Sequence, residues 1–158
     1  ARFLNQLLNN NLINVLIKKI KEIHNLNVLI GSIKNLFVIK AEGYWKEHYV
    51  FEKPIKSEIK YFVGAQRSDE IMVNVIFPLF LVYFEVFNQP QYAKKLLQMY
   101  NIFTQKSENN IVNEVAEALG MTKYIEKTII TQGMLEIFRN YCSKNKCPDC
   151  PIGAAVFN

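Results

Sequence analysis

The sequence predicts an all-α fold: a single helical domain of about six helices over residues 1–140, with a cysteine-containing tail, 141–158, packed on it. Three observations lead there. Apolar residues recur at three- and four-residue steps along nearly the whole chain. Only 6 Gly and 5 Pro occur among 158 residues, too few for a turn-rich β-sandwich. No stretch alternates apolar and polar residues cleanly enough to read as a strand. Half of the residues are apolar, with 11 Phe and 8 Tyr, so disorder is excluded as a description of the whole.

The elements follow in order. Phe3, Leu7, Leu8, Leu12, Val15, Leu16 and Ile20 mark a first helix, with Lys18, Lys19 and Lys21 near its end. Val28 to Val38 forms a second, with Leu29, Ile33, Leu36 and Phe37 on one face and Gly31 as a weak point. Around Glu42 to Tyr49 a short helical piece puts Tyr44 with His48 on one face and Trp45 with Tyr49 on the next. Phe51 to Gly64, broken by Lys53-Pro54 and Gly64, reads as an irregular connection. Ser68-Asp69-Glu70 supplies a cap and first-turn charge to a long apolar helix, Ile71 to Phe87.

That helix is seventeen residues with only Glu85 charged, the short limit for crossing a bilayer, and Asn74, Pro78 and Glu85 interrupt it. A helix apolar on nearly all sides is otherwise a central core helix, and that is the expectation. Asn88-Gln89-Pro90 ends it. Gln91 to Phe103 turns Tyr92, Leu96, Met99 and Phe103 inward and Lys94 and Lys95 outward. Ser107 to Asn110 caps Ile111 to Leu119, which Gly120 stops. A last helix, Tyr124 to Tyr141, delivers the chain into the cysteines.

All three cysteines fall within nine residues, as Cys142-x4-Cys147-x2-Cys150. Two thiolates at C-x2-C spacing reach one metal ion from a single tight turn, and Pro148 and Pro151 stiffen that turn. Zinc needs a fourth ligand, for which His48 is the first candidate, ahead of Asp149, His24 or a group N-terminal to these residues. The run from Tyr141 also resembles the cluster loop of helix-hairpin-helix DNA glycosylases, which makes a [4Fe–4S] cluster the alternative. Its first gap is shorter and the fourth thiolate is missing. Reduced, packed cysteines without metal rank between zinc and the cluster. With no general base nearby in sequence, a bound metal would be structural.

A charge of +5 permits contact with nucleic acid without demanding it. Lys53, Lys56, Lys60 and Arg67, beside Tyr61 and Phe62, are candidate phosphate contacts, as are Arg139, Lys144 and Lys146 near the cysteines. Glu52 and Glu58 dilute the set, and a solvated surface is the preferred explanation. The aromatic set at 44–49 is more often core packing than a base-stacking platform. No catalytic triad, P-loop, dinucleotide turn or HExxH occurs, so little supports catalysis by this chain alone. The start, Ala1-Arg2-Phe3-Leu4-Asn5, lacks the design of a signal peptide. An odd number of clustered thiols fits a reducing compartment, so the expected location is the cytoplasm.

Tyr44-Trp45-x-x-His48-Tyr49-x-Phe51, Ile71-x-Val73-Asn74-x-x-Phe77-Pro78, Glu108-x-Asn110, Gln132-x-x-Leu135 and Tyr141-Cys142-x4-Cys147-x2-Cys150-x-Ile152-Gly153 together resemble the C-terminal part of the bacterial DUF2851 family. The resemblance implies a longer protein whose N-terminal part carries a nuclease-like metal pattern absent from these residues. The expected function is a non-catalytic helical binding or scaffold domain with a zinc knuckle. It would support nucleic-acid binding by that N-terminal part, with DNA or RNA as the further partner and no membrane. The alternative is an iron–sulfur or zinc enzyme domain acting on nucleic acid. A third reading, an interaction module, is expected if the apolar face of Ile71 to Phe87 is partly exposed and pairs with the N-terminal part.

Overall fold

A computed structural model describes residues 11–105 and 109–157, with side chains to residue 155. The fold is mainly helical, and Cα packing groups it into two compact units, residues 1–99 and 100–158. Among the described residues no helix is long and apolar enough to cross a membrane.

In the first unit, α1 (Leu12–Glu22) buries Leu16 and Ile20. The expected helical residues Phe3, Leu7 and Leu8 lie outside the described residues. Helix α2 (Leu26–Phe37) begins where the Asn25 side chain accepts a hydrogen bond from Val28 N at 3.1 Å, and it buries Leu29, Ile33 and Phe37.

Residues 38–64 differ from expectation. Instead of a helical piece and a loop, they form two short antiparallel pairs. Strand β1 (Ile39–Lys40) pairs with β4 (Tyr61–Val63), and β2 (His48–Val50) with β3 (Lys53–Pro54). Only Gly43–Lys46 is helical, as one 3₁₀ turn. Gly43 at φ 57 and Glu52 at φ 63 take left-handed conformations that an α-helix cannot include. Strands of two or three residues are too short to show an alternation. Their signal was composition, the β-branched and aromatic runs Tyr49-Val50-Phe51 and Tyr61-Phe62-Val63.

A continuous helical rod follows: α3 (Ala65–Ile71), a wide π turn (Met72–Ile76) and α4 (Phe77–Val86). It opens earlier than expected, with Gly64 in the capping position. Ser68 is therefore no cap. It is buried, and its Oγ donates to Lys34 O at 2.8 Å, while Asp69 pairs with the Lys34 ammonium. Both residues fasten α3 to α2. The π turn, in which Phe77 N reaches back to Met72 O, immediately precedes Pro78.

The rod is not buried all round. Met72, Val73, Ile76, Phe77, Phe80 and Phe84 face the interior, but Val75, Leu79, Val82, Val86 and Phe87 are exposed. Hydrophobicity on every side thus splits into a core face and an uncovered one.

Helix α5 (Pro90–Ile102) buries Ala93, Leu96 and Met99. Lys95, expected to point outward, instead donates from Nζ to Ile20 O at 2.5 Å. This satisfies a carbonyl left orphaned in the last turn of α1. Burial pulls the Lys95 pKa below its ordinary value.

In the second unit, α6 (Asn110–Ala118) starts at Asn109, whose side chain accepts from Ile111 N at 2.9 Å. The expected capping residues Ser107 and Glu108 lie outside the described residues. Gly120 stops the helix at φ 65, as the spacing predicts. Helix α7 (Thr128–Asn140) begins later than expected because Thr122–Tyr124 is a separate 3₁₀ turn. Val112, Val115, Ala116 and Met134 form the core between α6 and α7. A short helix, α8 (Pro151–Phe157), closes the chain and was not foreseen.

Candidate functional site

The cysteine tail is built from successive hydrogen-bonded turns. Past α7, Cys142–Lys144 forms a 3₁₀ turn that ends at Asn145, whose left-handed backbone (φ 53) reverses the chain. Lys146 N then donates to Tyr141 O at 3.0 Å, Asp149 N to Lys146 O at 3.2 Å, and Cys150 N to Cys147 O at 3.2 Å. Ala154 N donates to Cys150 O at 2.7 Å and starts α8. Gly153 lies hard on this turn: a Cβ there would stand 2.0 Å from Cys147 O. No other residue type fits without moving the turn.

Cys142 and Cys147 are exposed and Cys150 is buried. All three line one cavity of about 280 Å³, walled by Val115, Ala118, Leu119, Ile137, Tyr141 and Ile152. The thiols share an apolar wall rather than a polar cage. A zinc ion needs three or four converging donors. Among the described residues, no group of three or more His, Cys, Asp and Glu side chains is placed to hold a metal ion.

His48 belongs to the first unit, at the start of β2, and is half-buried. Its ring stacks on Tyr44 with centroids 3.9 Å apart. Its Nδ1 lies 3.0 Å from Tyr44 O and, since a carbonyl only accepts, donates to it. His24 is exposed between α1 and α2, and Asp149 is exposed within the cysteine turn.

The aromatic set differs from the expected core packing. Tyr49 and Phe51 are 72% and 73% exposed, and Trp45 packs edge-on against Phe51 at 5.1 Å. Tyr44 Oη accepts from Glu52 N at 2.7 Å and holds the β2–β3 turn. These rings pack on one another at the surface. Lys53, Lys56 and Lys60 are exposed on the same excursion, with Tyr61 and Phe62 exposed beyond them and Glu47, Glu52 and Glu58 interspersed. Arg67, on α3, pairs with Glu70. In the second unit Arg139, Lys144 and Lys146 are exposed around the cysteine turn.

The condition set for an interaction module, a partly exposed apolar face on Ile71 to Phe87, is met by particular residues. Val75, Leu79, Val82 and Val86 follow one another at steps of four, three and four, which places them in one stripe along the exposed side of the rod. The spacing was visible, but nothing in it says which of two apolar faces meets water.

A family model described as "Protein of unknown function (DUF2851)" matches residues 3–110. The cysteine turn lies beyond the matched span. No curated protein and no solved structure matches the chain.

Proposed function

This chain belongs to the DUF2851 family, and we propose that it is a non-catalytic helical binding and scaffold domain whose first unit docks the N-terminal portion of the longer family protein. The observation that carries this reading is the uncovered stripe Val75, Leu79, Val82 and Val86 on a helix whose opposite face is core. Its spacing is that of a helix seam, and an exposed contiguous apolar stripe marks a protein-interaction surface. The test is co-purification of the separately produced N-terminal portion with this chain. Leu79→Asp with Val82→Asp abolishes co-purification and leaves the far-UV circular dichroism unchanged. Undiminished co-purification overturns the reading.

Two accompanying roles belong to the same proposal. Cys142, Cys147 and Cys150 hold Zn²⁺ as thiolates, and the ion fixes the tail without reacting. Their common cavity supports this, whereas their separate placement in the structure offers no preformed ligand group. Elemental analysis of the chain and of Cys147→Ser tests it: one zinc per chain, lost in the variant, is the expected result. Lys53, Lys56 and Lys60 contact nucleic-acid phosphates, a role supported by their position on an exposed aromatic excursion. Binding of a short single-stranded oligonucleotide that weakens with salt, and with all three changed to Ala, is expected. The odd set of three thiols supports a reducing compartment, the cytoplasm.

A further inference from the structure

The cysteine turn contains a pair as well as a trio. Cys147 and Cys150 stand at the first and last positions of a four-residue turn closed by the 3.2 Å bond from Cys150 N to Cys147 O. Such turns hold their end Cα atoms within about 7 Å, and a disulfide spans about 4.4–6.8 Å between Cα atoms. The turn can therefore close into a disulfide with little backbone movement. Its two ends also differ in access: Cys147 is exposed and Cys150 is 5% exposed. An open thiol with a protected one behind it is the arrangement by which a dithiol attacks and then resolves. Cys142 stands outside this turn, in the 3₁₀ turn that ends α7, and no hydrogen-bonded turn joins it to Cys147 or Cys150.

The surroundings set the substrate. The cavity that both thiols line is about 280 Å³ and walled by Val115, Leu119, Ile137 and Ile152. That volume matches the low end of small-molecule sites, about 300 Å³, and its walls favour an apolar or aromatic group. Gly153 against the Cys147 carbonyl fixes the turn over this cavity.

We propose that Cys147 and Cys150 form a dithiol site that exchanges with small disulfides bearing apolar groups. In the first step the Cys147 sulfur, its proton lost to solvent, attacks R–S–S–R, forming Cys147–S–S–R and releasing R–S⁻. In the second the Cys150 sulfur, likewise deprotonated, attacks the Cys147 sulfur and releases the second R–S⁻. The protein loses two electrons and two protons, and R–S–S–R becomes two R–SH. The step needs both thiols free of metal, so it competes with the zinc reading for Cys147 and Cys150 and belongs to the metal-free chain.

The experiment treats the whole chain, stripped of metal by chelator, with an aromatic disulfide that releases a coloured thiolate. Expected is rapid release of two thiolates from the pair, an adduct-free Cys147–Cys150 bond by peptide mapping, and a pair lighter by two hydrogens. Cys150→Ser stops at a stable adduct on Cys147, and Cys150→Ala, which keeps an apolar side chain inside, traps the same species. Cys147→Ser slows reaction at Cys150 about tenfold or more, since the remaining thiol is buried. Cys142→Ser leaves the rate and the product of the pair unchanged. A disulfide that includes Cys142, or persistent adducts on all three thiols of the unaltered chain, overturns the proposal.

Discussion

Changing glycine to alanine at two positions of the second unit should move its stability in opposite directions. Gly133 is exposed in the middle of α7, and a Cβ there meets nothing within 4 Å. Alanine then lowers the entropy of the unfolded chain at no cost in the fold, a gain of about 0.5–1 kcal/mol. At Gly153 the same methyl would lie 2.0 Å from Cys147 O and 2.9 Å from its carbonyl carbon. Ordinary non-bonded carbon contacts lie near 3.5 Å, so the peptide must retreat by more than about 1 Å. Cys147 O also accepts the bond that closes the turn. Overpacking of this kind costs about 1–3 kcal/mol, and losing that bond about 1 kcal/mol more. The helix-propensity gain offsets about 1 kcal/mol, leaving a net loss of about 1–3 kcal/mol. Urea unfolding followed by circular dichroism gives the sign for each variant. Alkylation of Cys150 under native conditions reads the tail directly and should quicken in Gly153→Ala alone. If Gly153→Ala leaves both the midpoint and the labelling rate unchanged, the close approach is wrong.

Further perturbations address other joints. Lys95→Met removes the donor from Ile20 O and should cost about 1 kcal/mol in urea unfolding. Because burial holds the Lys95 pKa below 10.5, the unfolded chain binds more protons between the two values. Stability contributed at this residue therefore rises with pH through that window, and the rise should vanish in Lys95→Met. Ser68→Ala strips the buried bond to Lys34 O and should lower thermal stability by about 1–2 kcal/mol. Thr128 Oγ1 is buried without a hydrogen-bond partner among the described residues, so Thr128→Val should be neutral or stabilising by calorimetry.

What the sequence disclosed depended on how long each signal ran. Helices α2, α5 and α6 and the stop at Gly120 were legible because periodicity accumulates over two or more turns and a left-handed cap has few residue choices. Strands β1 to β4 were not, because two or three residues cannot establish a period. Ser68 misled for a different reason. A serine before an apolar run resembles a cap, and only the partner thirty-four residues away, Lys34 O, shows that it is a buried tie. At the cysteine turn, spacing announced that three thiols meet one region, and they do line one cavity. It could not announce that Cys150 is buried while Cys147 is open, since that difference is made by α6 and α7 behind the tail.

The π turn at Met72–Ile76 has a bearing on how this segment can change in length. A wide turn holds one residue more than an α turn, and the helix beyond it keeps its heading. Asn74, exposed within it, is thus spare as far as the facing of Phe80 and Phe84 or of Leu79 and Val82 is concerned. It is not spare for Pro78. Tightening the turn would bring the pyrrolidine ring against the carbonyl one turn back, at about 3 kcal/mol. Deleting Asn74 alone should therefore be disruptive, while deleting it together with Pro78→Ala should leave a plain rod with both sides unmoved. A gain or loss of one residue in α4 carries no such remedy. It would swing every later side chain by about 100° and exchange interior for exterior.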